Sequence, residues 1–185
     1  MPLPKIIKSE RIYQGRIIDL IIEEVEDSPG KARKCEIISH LGGGVVIPMF
    51  DNGDLLLVRQ YRYPHKKFVL EVPAGKLEPN EDPLNCAKRE LEEETGYTAE
   101  RYEKLTAIYT TPGFCNEILH IYLATKLKKS QAGQHLDEGE QSLTIELIPL
   151  STAVDMVVRG EIVDSKTIVG ILLAERKLKS NNSEQ

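Results

Sequence analysis

Between Gly75 and Tyr97 the chain reads GKLEPNEDPLNCAKRELEEETGY, with five residues separating Gly75 from Glu81 and seven separating Glu81 from Arg89. No other stretch restricts the fold as much, because both ends of one helix are written into it. Asp82 suits the N-cap, Pro83 the first helical position and Gly96 the left-handed residue just past the end, so the pattern predicts a helix over about 83–95. On a helical wheel Leu84, Ala87 and Leu91 form one apolar stripe, and Glu94, Glu90 and Glu93 follow in that order around its flank. The carboxylates therefore sit where a packed face meets water.

Like charges four residues apart, as at Glu90 and Glu94, destabilise a helix by roughly 0.2–0.5 kcal/mol per pair, so positive charge belongs beside them. Arg89 with Glu93, and Lys88 with Glu92, would make an ordinary salt-bridged surface helix. The preceding turn, Val72-Pro73-Ala74-Gly75, argues for more. It follows a buried strand and brings a backbone carbonyl towards the same carboxylates. Hard oxygen donors that leave water positions open suit Mg²⁺ or Mn²⁺ bridging phosphates.

The 185 residues amount to one domain, or one domain with an extension. A formal net charge of −5 gives no basic footprint, so nucleic acid is not an expected partner. Cys35, Cys86 and Cys115 are isolated, without C-x-x-C spacing, as expected of reduced thiols in a cytoplasmic protein. The start MPLPKIIKSE lacks an apolar signal core, and no run approaches the roughly 20 apolar residues of a membrane helix. A soluble, cytoplasmic protein with no membrane partner is expected.

In chain order, three strands are expected at about 6–14, 16–26 and 32–39, with a turn at 27–30 between the last two. This antiparallel meander is too thin to bury both its faces. Strands then recur at VVIPMF, LLLVRQYRYP, 68–72, 105–110, 117–124 and 143–149, and helices at about 151–159, capped by Ser151, and 164–178, starting after Asp164 or Ser165. A mixed sheet between helices follows, an α/β/α sandwich in an α+β chain. The end, SNNSEQ, reads as a frayed tail.

Outside the helix, Arg59-Gln60-Tyr61-Arg62 ends an apolar strand, with Arg59 and Tyr61 on one face and Gln60 and Arg62 on the other. An arginine fork can hold two diphosphate oxygens, while the plainer reading is a solubilising edge-strand charge. Thr111-Pro112-Gly113-Phe114-Cys115-Asn116-Glu117 is a Pro-Gly loop ahead of a strand, its Pro112 sixteen residues after Gly96. Residues 128–141, KKSQAGQHLDEGEQ, form a long polar connection that is either functional or merely solvated.

The spacing G-x5-E-x7-R-E-U-x-E-E-x-G-U, with U apolar, resembles the Nudix box, and only the aromatic Tyr97 in the last position departs mildly. The meander, RQYRYP, EVPAGK and the PGF-x-N-E run look like the ADP-ribose pyrophosphatase subgroup of Nudix hydrolases, so the resemblance covers nearly the whole chain. It implies a meander over residues 1–41 used for dimerisation and substrate contact, a Nudix hydrolase domain over 42–180, and a flexible tail over 181–185. It also implies a homodimer and a nucleoside diphosphate sugar substrate.

By that resemblance Ala74 offers its carbonyl and Glu90 and Glu94 their carboxylates to metal, with Glu93 bridging a further ion, two or three Mg²⁺ (or Mn²⁺) in all. Arg62, with Arg33 or Lys34, touches phosphates or the terminal ribose; Glu71 and Glu117 position substrate, and Arg59, Gly113 and Phe114 lie in the matching runs. Arg89 orients the glutamates. The attacking water is handled by Glu140, by Glu138 as second candidate in the same loop, or by Glu93. Relatives often stack adenine on aromatics of the N-terminal segment, whereas this chain has no Trp and only Tyr13 before Phe50.

The expected reaction is metal-dependent hydrolysis of ADP-ribose to AMP and ribose 5-phosphate. The alternatives are hydrolysis of other nucleoside diphosphate sugars, of the GDP-mannose or UDP-glucose type, or a non-catalytic ADP-ribose sensor.

Overall fold

The computed structural model describes residues 3–28 and 30–183, the last three by backbone alone. Pro29 of the expected 27–30 turn and Glu184 and Gln185 of the expected tail lie outside the described residues. The chain divides into two compact units, Met1–Gly42 with Tyr109–Ile118, and Gly43–Ile108 with Leu119–Gln185.

The first unit is the expected meander. Strands β1 (Lys5–Gln14), β2 (Asp19–Ser28) and β3 (Lys31–Ser39) pair antiparallel in that order. Irregularities between Ile6 and Lys8 and between Arg11 and Tyr13 interrupt the β1 register. β1 is exposed along its whole length, and β2 is its one strand neighbour among the described residues. The Pro-Gly loop belongs to this unit: Ile38 N–H donates to Phe114 O at 2.7 Å, Asn116 N–H to Ile38 O at 3.2 Å, and His40 N–H to Asn116 Oδ1 at 2.8 Å.

The second unit holds two sheets. β5 (Asp54–Arg62) lies between β10 (Thr144–Pro149) and β6 (Lys67–Glu71), antiparallel to both. The other sheet has the order β7 (Ala74–Lys76), β4 (Gly43–Pro48), β9 (Ile118–Lys129), β8 (Tyr97–Tyr109), and it is mixed because β4 runs parallel to β9 and antiparallel to β7. β7 was not anticipated, and β8 and β9 extend well beyond the expected 105–110 and 117–124.

Alternation along β4 and β9 builds the sandwich. Val45, Ile47, Ile121 and Leu123 join Ala153, Ile162, Ile171 and Ala174 in one core, where α2 (Leu150–Val158) and α3 (Ser165–Ser183) pack. Val46, Tyr122 and Ala124 point the other way and bury Ala87 and Leu91 of α1 (Pro83–Thr95). Full burial of one such aliphatic side chain is worth roughly 1.5–3 kcal/mol, which is why a sheet apolar on both faces needs helices on both. Gly44 lets α1 come close: a Cβ there would lie 2.6 Å from Ala87 N and 2.7 Å from Pro83 O.

Two local readings change, at Ser151 and in the tail, and the start of the last helix falls at the first of its two expected places. Ser151 lies inside α2, whose N-cap is Pro149. Asp164 caps α3, accepting from Thr167 N–H at 3.0 Å. α3 continues through Ser183, so helix occupies most of the segment expected as tail.

Candidate active site

Helix α1 has the predicted ends. Asp82 Oδ1 accepts from Leu84 and Asn85 N–H at 2.9 and 3.2 Å, and Gly96, at φ 71°, donates its N–H to Glu92 O. The stripe Leu84, Ala87 and Leu91 packs on the sheet and draws Glu90 and Glu94 under with it, leaving them 8% and 2% exposed. Burial pushes the Glu90 carboxyl up to about 7, against the pull of Arg89 and with the push of Glu93 and Glu140. Burial, then the neighbouring Glu90 and Glu140 charges, drives Glu94 well above the ordinary carboxylate range, outweighing Lys166 and the Ala74 amide.

Pro73 O accepts from Val46 N–H at 3.0 Å, which fixes the turn that enters β7. From there Ala74 N–H donates to Glu94 Oε2 at 3.2 Å, and the bare Cα of Gly75 faces the Glu90 carboxylate. Cys86 Sγ donates to Gly75 O at 3.4 Å, and burial pushes its thiol up to about 12. That thiol is a packed hydrogen-bonding group and not a nucleophile.

Arg89 is the hub expected of an orienting residue. Its Nε and Nη2 reach the two oxygens of Glu81 at 3.1 and 3.2 Å, its Nη1 reaches Glu90 Oε1 at 2.6 Å and Glu93 Oε2 at 3.0 Å, and Nη2 also donates to Lys76 O at 3.3 Å. The fork thereby ties the loop before α1 to the carboxylates on it, and it holds Glu81 below the ordinary range. The companion pair Lys88–Glu92 is replaced: Lys88 Nζ lies 5.4 Å over the Tyr102 ring, and Glu92 accepts from Ser130 Oγ.

The polar loop after β9 is latched to the C-terminal turn of α1. His135 N–H donates to Glu93 O at 2.8 Å, Gln134 Nε2 to Glu94 O at 2.6 Å, and Ser130 N–H to Gly96 O at 2.8 Å, so carbonyls without helical partners are satisfied by the loop. Leu136 packs beside Leu56, Val58 and Leu143. A 3₁₀ turn at Glu138–Glu140 follows, where Glu140 accepts from Asp137 N–H at 3.1 Å and its charge acts on both Glu90 and Glu94. Glu138 is exposed on the same turn.

The other candidates separate. Arg62 Nε and Nη2 grip both oxygens of Glu71 at 2.6 Å each, and Arg62 feels the charge of Glu94. Glu71 is 2% exposed and bound by Arg62 and Lys166; burial would raise its carboxyl, but the two cations outweigh burial and hold it below the ordinary range. Glu71 is therefore placed to orient Arg62 instead of touching a ligand. Arg59, on the opposite face, is bidentate to Glu146 of β10 at 2.5 and 3.2 Å, a cross-strand ion pair.

In the first unit, Arg33 Nε donates to Asp27 Oδ2 at 2.5 Å, Glu117 Oε1 lies 3.2 Å from His40 Nδ1, Phe114 is exposed, and a Cβ on Gly113 would meet nothing within 4 Å. The sequence reading missed Lys166. Its signal was a lysine in the first turn of α3, where the helix dipole repels cations and a buried anion must compensate.

Two buried carboxylates pushed towards protonation, beside a turn with no side chain at Gly75, fit a hard divalent cation completed by backbone oxygen and water. Among the described residues no three His, Cys, Asp or Glu side chains converge as a ready ligand cluster. No helix of the described residues is long and apolar enough to cross a membrane.

This fold and carboxylate helix define a class, and the comparisons agree with it. The NUDIX domain matches residues 40–168, and the chain belongs to the Nudix family. It is 43% identical over 173 residues to an ADP-ribose pyrophosphatase of Bacillus subtilis (strain 168), covering 94% of this chain and 93% of that one. It is likewise 43% identical over 167 residues to a methanol dehydrogenase activator of Bacillus methanolicus, covering 90% of each. The solved structure of an ADP compounds hydrolase superposes with a TM-score of 0.85 over 98% of this chain and 97% of that one, at 22% identity, and so shares the fold.

Proposed function

We propose that this protein hydrolyses the diphosphate linkage of ADP-ribose to AMP and ribose 5-phosphate, using Mg²⁺ or Mn²⁺. The observation that carries the hydrolytic reading is the pair Glu90 and Glu94, buried on one helix against the side-chain-free Gly75. Such a pair is costly without a cation and suited to one. The choice of ADP-ribose rests on the Bacillus subtilis relative, which matches along nearly all of both chains.

Glu90, Glu94, Glu93 and the Ala74 carbonyl would hold the metal. A bound divalent ion supplies charge to the diphosphate and lowers the pKa of a bound water. The chain's own residues do the rest. Arg89 fixes Glu90 and Glu93; Arg62, oriented by Glu71, meets the diphosphate oxygens; Glu140, or else Glu93, takes the proton of the attacking water. Of the meander unit, Arg33 or Lys34 would touch phosphates or the terminal ribose and Glu117 would position substrate, with Gly113 and Phe114 as further substrate contacts. Exposed Ile6, Ile7, Ile12, Tyr13 and Ile17 support pairing of that unit with a second copy. The free state of Cys35, Cys86 and Cys115 is in keeping with the cytoplasm.

The test is incubation of the pure protein with ADP-ribose and MgCl₂, following AMP and ribose 5-phosphate. Release of both at equal amounts is expected, and intact ADP-ribose overturns the reading. Because a GDP-mannose pyrophosphatase of Yersinia enterocolitica is 28% identical over 159 residues, the panel also carries GDP-mannose and UDP-glucose. A faster rate on either reassigns the substrate and leaves the reaction type.

A further inference from the structure

The first turn of α3 carries a cluster that this mechanism leaves unused. Asp164 Oδ2 accepts from Thr167 N–H at 3.0 Å and from Thr167 Oγ1 at 2.6 Å, while Thr167 Oγ1 itself accepts from Val72 N–H at 2.9 Å. Lys166 stands inside this turn, 8% exposed, its Nζ donating to Asp164 Oδ2 at 3.0 Å and to Glu71 Oε2. Since Arg62 grips the same Glu71 carboxylate, Asp164, Lys166, Glu71 and Arg62 form a run of alternating charge from a helix start to a half-buried guanidinium at the end of β5.

Burying an ammonium in the first turn of a helix is unfavourable twice over, from lost hydration and from the dipole. An apolar side chain would pack α3 onto the sheet at lower cost. What it could not do is hold a carboxylate in one plane. Gripped by Arg62 alone, Glu71 and the arginine can swing together; with Oε2 also tied to α3, the carboxylate plane is set, and the fork that lies in it is set too. Arg62 and Lys166 each interact electrostatically with the Glu94 carboxylate.

We propose that Lys166 is a positioning residue for substrate: by tying Glu71 Oε2 to the first turn of α3, it fixes the plane in which Arg62 presents its guanidinium to the diphosphate. The inference rests on Arg62 being a substrate contact, as proposed above.

The experiment measures kcat and KM for ADP-ribose at saturating Mg²⁺ in the full chain carrying Lys166→Met, Lys166→Arg, Arg62→Gln, and Arg62→Gln with Lys166→Met. Lys166→Met should raise KM about tenfold with kcat within about threefold, since misplacing a binding group costs affinity before chemistry. Lys166→Arg should recover most of the loss. On the Arg62→Gln background Lys166→Met should add nothing further to KM, because both act through one contact.

A purely structural lysine would lower the melting temperature and the active fraction, and hence kcat, with KM unchanged; that result overturns the proposal. If Lys166→Met does not fold, Lys166→Ala, which also removes the donor to Glu71, is read in the same way, an unchanged KM again overturning it. A raised KM in Arg62→Gln with none in the Lys166 variants removes the role of Lys166 alone. An unchanged KM in Arg62→Gln removes the reading of Arg62 and the role of Lys166 with it, and no turnover by the wild type removes the proposed function and both.

Discussion

Gly75 and Glu90 stand so close that a Cβ on the glycine would lie 1.7 Å from Glu90 Oε1 and 1.9 Å from its Cδ. No rotamer shift of a few tenths of an ångström relieves that overlap. Gly75→Ala should therefore drive the Glu90 carboxylate off its position and out of the Arg89 fork, lowering turnover by about 10²-fold or more. The fold should survive, because the displaced group is polar and borders the open side of the site. Turnover and melting temperature measured together check this; an active Gly75→Ala protein would mean that Glu90 does not work from where it lies.

Glu94→Gln tests the second carboxylate with two opposite signs. Removing a proposed ligand should lower turnover by about 10²-fold or more. Without metal the same substitution should raise the melting temperature, because it removes an ionisable group whose charged form burial and the neighbouring Glu90 disfavour, and leaves an oxygen for the Ala74 N–H. Thermal melts in EDTA, set beside the activity assay, separate a metal ligand from a fold-bearing side chain.

The pH dependence follows from the same burial. The folded state raises Glu90 from its ordinary 4.5 to about 7 and raises Glu94 in the same direction, so the fold favours their protonated forms. The Glu90 contribution to stability is complete below the ordinary carboxylate range and is lost as pH rises through about 7. A divalent ion needs both groups ionised, so its stabilising effect should grow over the same window. Melting temperatures at pH 5.5 and 8, with EDTA and with MgCl₂, should show a Mg²⁺-induced rise that is larger at pH 8. An equal rise at both values would detach the metal from these carboxylates.

Helix α1 was legible to the residue because Asp82, Pro83 and Gly96 define its ends through local bonds alone. β7 was not, since three residues, one of them Gly75, carry no periodicity. The first half of β8 was hidden by Glu100, Arg101, Glu103 and Lys104, which break the apolar pattern on a strand with one covered face. Within the site, Arg89 could be cast as an orienter from its spacing to Glu93. Lys166 could not be placed, because its partner Glu71 lies 95 residues away and only the folded sheet brings them together. Alternation put Arg59 and Arg62 on opposite faces of β5, but their partners across the sheet, Glu146 and Glu71, come from strands the local sequence does not name.

Glu140 and Glu138, first and second candidates in one polar loop, differ in their surroundings. Glu140 is half-buried, held by the Asp137 N–H, and close enough to act on both Glu90 and Glu94; Glu138 is exposed on the same turn. A group that takes a proton from water during attack contributes about 10²–10⁴-fold, so Glu140→Gln should lower kcat by at least about 10²-fold while leaving KM nearly unchanged. Glu138→Gln should stay within about twofold of the wild type in both. Steady-state kinetics on the two variants decide the matter: an unaltered kcat in Glu140→Gln transfers the base to Glu93, which Arg89 already holds at 3.0 Å on the exposed flank of α1.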